Sequence, residues 1–118
     1  MTDSPRIECR HDADPAAELR YSPAHLDAAA AMCHALSDPA RLRLLLWLAR
    51  RETCVSELVE LEQAKVSSIS ARLQMLHAAR LVTRRRVAKH IYYALADEHV
   101  HALLRNIVGH AAEAVAGP

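Results

Sequence analysis

The sequence has no phenylalanine, only two glycines, and an aromatic set of one Trp and three Tyr. Its 52% apolar content is therefore largely Ala and Leu, a composition that favours helices. No apolar run reaches membrane length, which excludes a spanning helix. The N-terminus is polar and acidic and lacks the pattern of a signal peptide. Cysteine is scarce: Cys9, Cys33 and Cys54 are odd in number and widely spaced, which fits a reduced, cytoplasmic protein better than a disulfide framework. No sustained internal repeat is present. At 118 residues the chain forms one domain with a modest core, small enough to depend on a partner.

Negative charge is missing from one long stretch. Between Ala64 and Ala96 stand seven cations (Lys65, Arg72, Arg80, Arg84, Arg85, Arg86, Lys89) and no Asp or Glu. The remainder holds eight cations and fourteen anions, although the whole chain balances at +1. A basic block in an otherwise acidic chain is the footprint of a polyanion-binding surface. It argues against a plain protein-interaction module.

Residues 1–20, with Pro5 and Pro15 among scattered charges, read as a flexible arm, leaving 21–118 as the folded unit. Ser22-Pro23 is a cap and first helical residue for a helix to about Leu36. Its small-residue stripe of Leu26, Ala29, Ala30, Cys33 and Leu36 permits close helix packing, with Cys33 expected in the core. Asp38-Pro39 repeats the signal for a core helix from Arg41 to Arg50, burying Leu42, Leu45, Leu46 and Ala49 with Leu44 and Leu48 as a second row. Cys54-Val55 reads as a short extended piece, and Ser56 as the cap of a helix Glu57 to Glu62. A longer helix, Val66 to Ala79, follows a turn and buries Ile69, Leu73 and Leu76. Two helices joined by a short turn, the second rich in Ser, Arg and Gln, have the layout of a helix-turn-helix. Leu81 to Arg86 and His90 to Leu95 read as strands around Val87-Ala88-Lys89, a basic wing behind that motif. The fold class is mainly α with a β-hairpin wing: a winged helix-turn-helix of about five helices.

Residues 97–115 form the last helix, with Asp97 as its cap. His110 and Glu113, three apart, share a face, and His99 shares it with His110. At 1.5 Å per residue the two histidines are roughly 16 Å apart, whereas zinc–ligand bonds are about 2 Å long. One helix cannot bring both to one ion. A second, antiparallel copy can, placing Asp97 and His99 of one against His110 and Glu113 of the other, twice per two-fold dimer. His101 lies about 200° around the helix from His99 and reads as a surface residue.

Leu36-Ser37-Asp38-Pro39-Ala40-Arg41-Leu42-Arg43-Leu44-Leu45, Cys54-Val55-Ser56-Glu57-Leu58, Leu81-Val82 and His90-Ile91-Tyr92-Tyr93-Ala94-Leu95 occur in the order and spacing of a known family. Over roughly residues 24–115 the chain resembles the ArsR/SmtB metal-sensing winged-helix repressors. The resemblance implies a homodimer, joined through its first and last helices, that represses an inverted-repeat operator when metal-free and releases it on binding metal. It also implies that Asp97, His99, His110 and Glu113 are the family's last-helix zinc site, a donor set that suits Zn(II) or Co(II). A second family site would use Cys54 and Glu57 with Cys9 and His11 on the arm. Ser56 stands where the arsenic, cadmium and lead sensors carry a second cysteine, which disfavours a trigonal thiolate site.

For DNA the resemblance and the basic block single out Ser67, Ser68, Ser70, Arg72 and Gln74 on the recognition helix, where Gln pairs with adenine and Arg with guanine. Arg84, Arg85, Arg86, Lys89 and His90 on the wing suit phosphate or the minor groove. Gln63 and Ala88 replace turn glycines and Lys65 replaces a hydroxyl cap. Two other readings stay open: a thiol-, redox- or soft-metal-responsive repressor using Cys9 and Cys54, and a zinc hydrolase. The second is disfavoured because catalytic zinc keeps an open position, whereas four protein ligands close the site.

Overall fold

The structure, a computed structural model, describes residues 19–117. The arm through Glu18, with Cys9 and His11, lies outside the described residues. Ser22 Oγ accepts the His25 N–H (3.2 Å) and His25 Nδ1 accepts the Ser22 N–H (3.1 Å), a reciprocal cap opening α1 (Pro23–Leu36). Asp38 accepts the Arg41 N–H at 3.0 Å and opens α2 (Pro39–Arg50). Arg41 then reaches back: Nε donates to the Ala35 carbonyl at 2.7 Å and Nη2 to that of His34 at 3.2 Å. Both carbonyls belong to the last turn of α1, and that of His34 also accepts from the Ser37 N–H and Oγ, so the guanidinium helps to fix the corner between the two helices.

The chain continues through β1 (Thr53–Cys54), α3 (Val55–Glu62), α4 (Val66–Ala78), β2 (Val82–Val87), β3 (His90–Leu95) and α5 (Glu98–Ala116). Both β1 and β2 pair antiparallel with β3, in the order β1-β3-β2. The register runs from Val82 opposite Leu95 to Val87 opposite His90, and Thr53 faces Tyr93. Leu44, Leu45 and Leu48 of α2 form the centre of the core. Around them pack Leu58, Ile69, Leu73, Leu76, Leu81, Val82, Tyr93, Leu95, Val100 and Leu104. The architecture is the expected winged helix-turn-helix, with five helices among the described residues.

Several local expectations change. Helix α3 begins at Val55, one residue before Ser56, and its N-cap Cys54 makes no side-chain cap bond. Cys54 instead has its Sγ 3.2 Å from the Ser56 Oγ. The wing hairpin is tighter, with only Ala88-Lys89 between the strands, and β1 adds a third strand that the short Cys54-Val55 signal understated. Gln63 (φ 51°) and Ala88 (φ 54°) take the left-handed conformation that favours glycine. The Gln63 side chain offsets part of that cost by donating to the Glu60 carbonyl at 2.9 Å. Lys65 caps α4 with no side-chain bond.

Leu46 is exposed, not buried, because α2 turns Leu44, Leu45 and Leu48 inward. Cys33 is exposed too. Only the C-terminal end of α1, at Ala35 and Leu36, is buried; Leu26, Ala29, Ala30 and Cys33 have no cover among the described residues.

Glu62 ties α2 to α3. Its side chain is 6% exposed, accepts from Arg43 Nε at 3.0 Å and Nη2 at 3.1 Å, and accepts from the Trp47 indole N–H at 2.8 Å. Arg43 holds this carboxyl below the usual range, and Trp47 adds to the effect against the opposing pull of burial. A depressed carboxyl stabilises the fold above its unfolded pKa, and that contribution is lost as pH falls through the folded value. Glu62→Ala is expected to cost about 2 kcal/mol at neutral pH, since it strands the indole N–H. Glu62→Gln keeps an acceptor and costs less. Urea midpoints should show the gap between wild type and Glu62→Gln closing below about pH 4, where unpaired glutamates titrate. A gap independent of pH would mean the ion pair contributes nothing.

Candidate metal and nucleic-acid sites

Asp97 performs two tasks at the start of α5. Its Oδ1 accepts the Val100 N–H at 3.2 Å, and its Oδ2 lies 3.6 Å from His99 Nδ1. The Val100 N–H holds this carboxyl below its ordinary range, helped by His99 and opposed by burial, so it is ionised at neutral pH. Capping therefore consumes one oxygen and leaves the other facing a histidine. The His99 side chain is 98% exposed. His110 and Glu113, also exposed, lie toward the far end of the helix. Among the described residues no three His, Cys, Asp or Glu converge within one chain. The length of the helix explains this: the two pairs share a face but are separated along its axis.

Val100 and Leu104 anchor one side of α5 in the core, and His101 and Val108 beside them are half-buried. The half-burial of His101 differs from its expected surface position. Leu103 (37% exposed) and Ile107 (42%) form an apolar row with no cover among the described residues. By helical geometry His99 and His110 differ in direction by only about 20° and stand within about 80° of both residues of that row. The two histidines thus border an apolar face that no described residue covers.

At the second position considered for metal, Cys54 is half-buried at the entrance to α3. Glu57 is already ion-paired with Arg51. No described residue completes a ligand set there.

On α4 the burial of Ile69, Leu73 and Leu76 decides which side faces out. Ser67 and Gln74 are exposed, while Ser68, Ser70 and Arg72 are half-buried on the flanks. The charge of Arg72 adds a small share to the lowering of the Glu62 carboxyl pKa. Ala71 and Met75 are also exposed on the outer side and were not picked out from the sequence. Projecting three buried positions onto a helical wheel would have found them; an alanine on this face can meet a thymine methyl. On the wing Thr83 through His90 are exposed. Arg84, Arg86 and Lys89 have no carboxylate partner among the described residues, and Arg86 Nε donates to the Ala88 carbonyl at 3.2 Å. Arg85 is paired with Glu52. No described helix is long and apolar enough to cross a membrane.

Residues 38–84 match the family described as "Bacterial regulatory protein, arsR family". A transcriptional repressor SmtB homolog of Synechocystis is 46% identical over 79 residues, 67% of this chain and 60% of that protein. The HTH-type transcriptional repressor SmtB of Mycobacterium tuberculosis is 36% identical over 109 residues, 88% of this chain and 81% of that protein. The chain belongs to the ArsR/SmtB family. A structure from Mycobacterium bovis, described as a homodimeric winged helix-turn-helix DNA-binding domain of a possible ArsR-family transcriptional regulator, superposes with a TM-score of 0.75. It is 32% identical, with 83% of this chain and 91% of that chain covered. These relatives carry the names of regulators and repressors, not of enzymes, and the ArsR/SmtB assignment leaves the zinc-hydrolase reading without support.

Proposed function

We propose that this ArsR/SmtB chain is a cytoplasmic, homodimeric transcriptional repressor that binds an inverted-repeat operator without metal and is released by Zn(II) or, as the alternative ion, Co(II). The observation that carries this reading is at α5, where His99 and His110 border the row of Leu103 and Ile107, which no described residue covers, with Asp97 beside His99 and Glu113 one turn beyond His110. A second copy that covered the apolar rows of α5 and α1 would bring the two ends of antiparallel last helices together. Two imidazoles and two carboxylates then form a tetrahedral donor set, with the second oxygen of Asp97 available beside His99. Zinc, when bound, supplies a cross-link between the two last helices.

Operator contacts fall to Ser67, Ala71 and Gln74 at the front of α4, with Ser68, Ser70 and Arg72 at its flanks. On the wing they fall to Arg84, Arg86, Lys89 and His90. Base preference should follow α4, because a wing contact to phosphate positions the protein without reading sequence.

The test is cobalt titration of the dimer combined with operator binding by fluorescence anisotropy. Two ions per dimer are expected, with tetrahedral visible bands and no strong thiolate charge-transfer band. Metal affinity should fall as pH drops through the histidine range, because protons compete for imidazole. A dominant sulfur band that disappears in Cys54→Ser would move the sensor to the Cys54 end and overturn the proposed site.

A further inference from the structure

Glu52 stands just before β1 at one edge of the sheet, Arg85 lies in β2 at the other, and β3 runs between them. Adjacent strands are about 4.8 Å apart, so the side chains must bridge roughly 10 Å. They do so as a fork: Arg85 Nε lies 2.8 Å from Glu52 Oε2 and Nη2 lies 2.7 Å from Oε1. Under the bridge lies Tyr92 of β3, its ring centre 5.5 Å from the guanidinium carbon. Tyr92 is registered opposite Cys54 on one side and Arg85 on the other, so three strands are braced over one residue. Strand alternation puts Arg84 and Arg86 on the opposite face from Arg85.

An exposed ion pair contributes little to stability. Its geometric consequence is larger. Residue 54 ends β1 and residue 55 begins α3, so the strand that Glu52 precedes leads directly into the helix-turn-helix. A planar guanidinium held at two points and stacked on a ring restricts the wing's angle to that motif, which a lysine cannot reproduce. We infer that Glu52 is a positioning residue that holds Arg85 as a brace between wing and helix-turn-helix, leaving wing phosphate contacts to Arg84, Arg86 and Lys89. The inference rests on the DNA-binding reading above.

The experiment compares Glu52→Gln, Arg85→Ala, Arg85→Lys and Arg86→Ala with wild type. Without DNA, the Arg85 Nε–Hε cross-peak in nitrogen-15 NMR should shift in Glu52→Gln while those of Arg84 and Arg86 stay in place. Operator and random-duplex affinities are then measured across a salt series. Arg86→Ala should lower the salt slope by about one per protomer, and Arg85→Ala should leave it unchanged. Both brace variants, Glu52→Gln and Arg85→Ala, should reduce the operator-to-random preference by roughly three- to tenfold, with Arg85→Lys failing to restore it. In Glu52→Gln the freed arginine should also steepen the slope. An Arg85→Ala slope that falls as far as that of Arg86→Ala, or an unmoved Arg85 cross-peak in Glu52→Gln, overturns the brace. If wild type bound no duplex at all, the repressor reading would fall, and with it the operator half of this inference, while the NMR comparison would still decide whether the brace exists.

Discussion

Alanine at His99 or at His110 is expected to abolish zinc-driven release of the operator while leaving metal-free DNA affinity close to wild type. Neither side chain belongs to the core or to the DNA-facing elements, so neither substitution should disturb the fold. In the proposed dimer each removes one of four ligands from both sites, because symmetry repeats the change. Coupling between two ligands is commonly about 1–3 kcal/mol, a five- to roughly hundredfold change in operator affinity. Linkage requires DNA to weaken zinc binding by the same factor. The two histidines should differ in one respect. With one ring nitrogen on the ion, the other bears a proton that can be donated to a backbone carbonyl, as ligand histidines usually do. His110 is proposed to send that bond toward the end of α4, where Arg80 adopts φ 63° and Leu81 N–H closes on the Leu76 carbonyl at 3.0 Å. A His110 variant that still holds zinc should therefore lose the coupling more completely than it loses the ion. Operator affinity with and without zinc, measured on both variants, decides the matter: wild-type release by either one removes this switch.

Salt is expected to act even more strongly on the metal-free complex. Each wing offers Arg84, Arg86 and Lys89 with no carboxylate partner among the described residues. A dimer then neutralises about six phosphates and releases their counterions, giving a slope near −5 in log affinity against log salt. Between 50 and 200 mM salt the operator affinity should fall by roughly a thousandfold. Random duplex should show a similar slope, because these contacts do not read bases. A slope shallower than about −2 on both duplexes would mean that the basic block of residues 64–96 is not the surface that meets the phosphates.

Local chemistry made much of the fold legible. Ser22-Pro23 and Asp38-Pro39 mark helix starts because cap and proline act within one turn, and both caps form as read. The period of Ile69, Leu73 and Leu76 located the inner side of α4 for the same reason. Left-handed turns at Gln63 and Ala88 occur where the family resemblance placed glycines. The spacing of His99, His110 and Glu113 on one helix, and the need for a second helix to complete any site, follow from helical rise alone.

Other features depend on residues far apart in sequence, which no window of neighbours can rank. Arg85 and Glu52 are 33 residues apart, and only the β1-β3-β2 order brings them together. Glu62 meets Arg43 and Trp47 only because α3 packs on α2. Leu46 and Leu44 are equally apolar, yet the packing of α2 buries one and exposes the other. Cys33 looks like core from its helical stripe and lies open, because no described residue covers that side of α1. By itself the sequence determined the helices, the wing, the basic surface and the row of metal-ligating residue types, since these rest on spacing and composition. Tertiary structure alone decided which cations are free, which apolar rows lack a partner and which residues brace the wing, because those depend on contacts made across the fold.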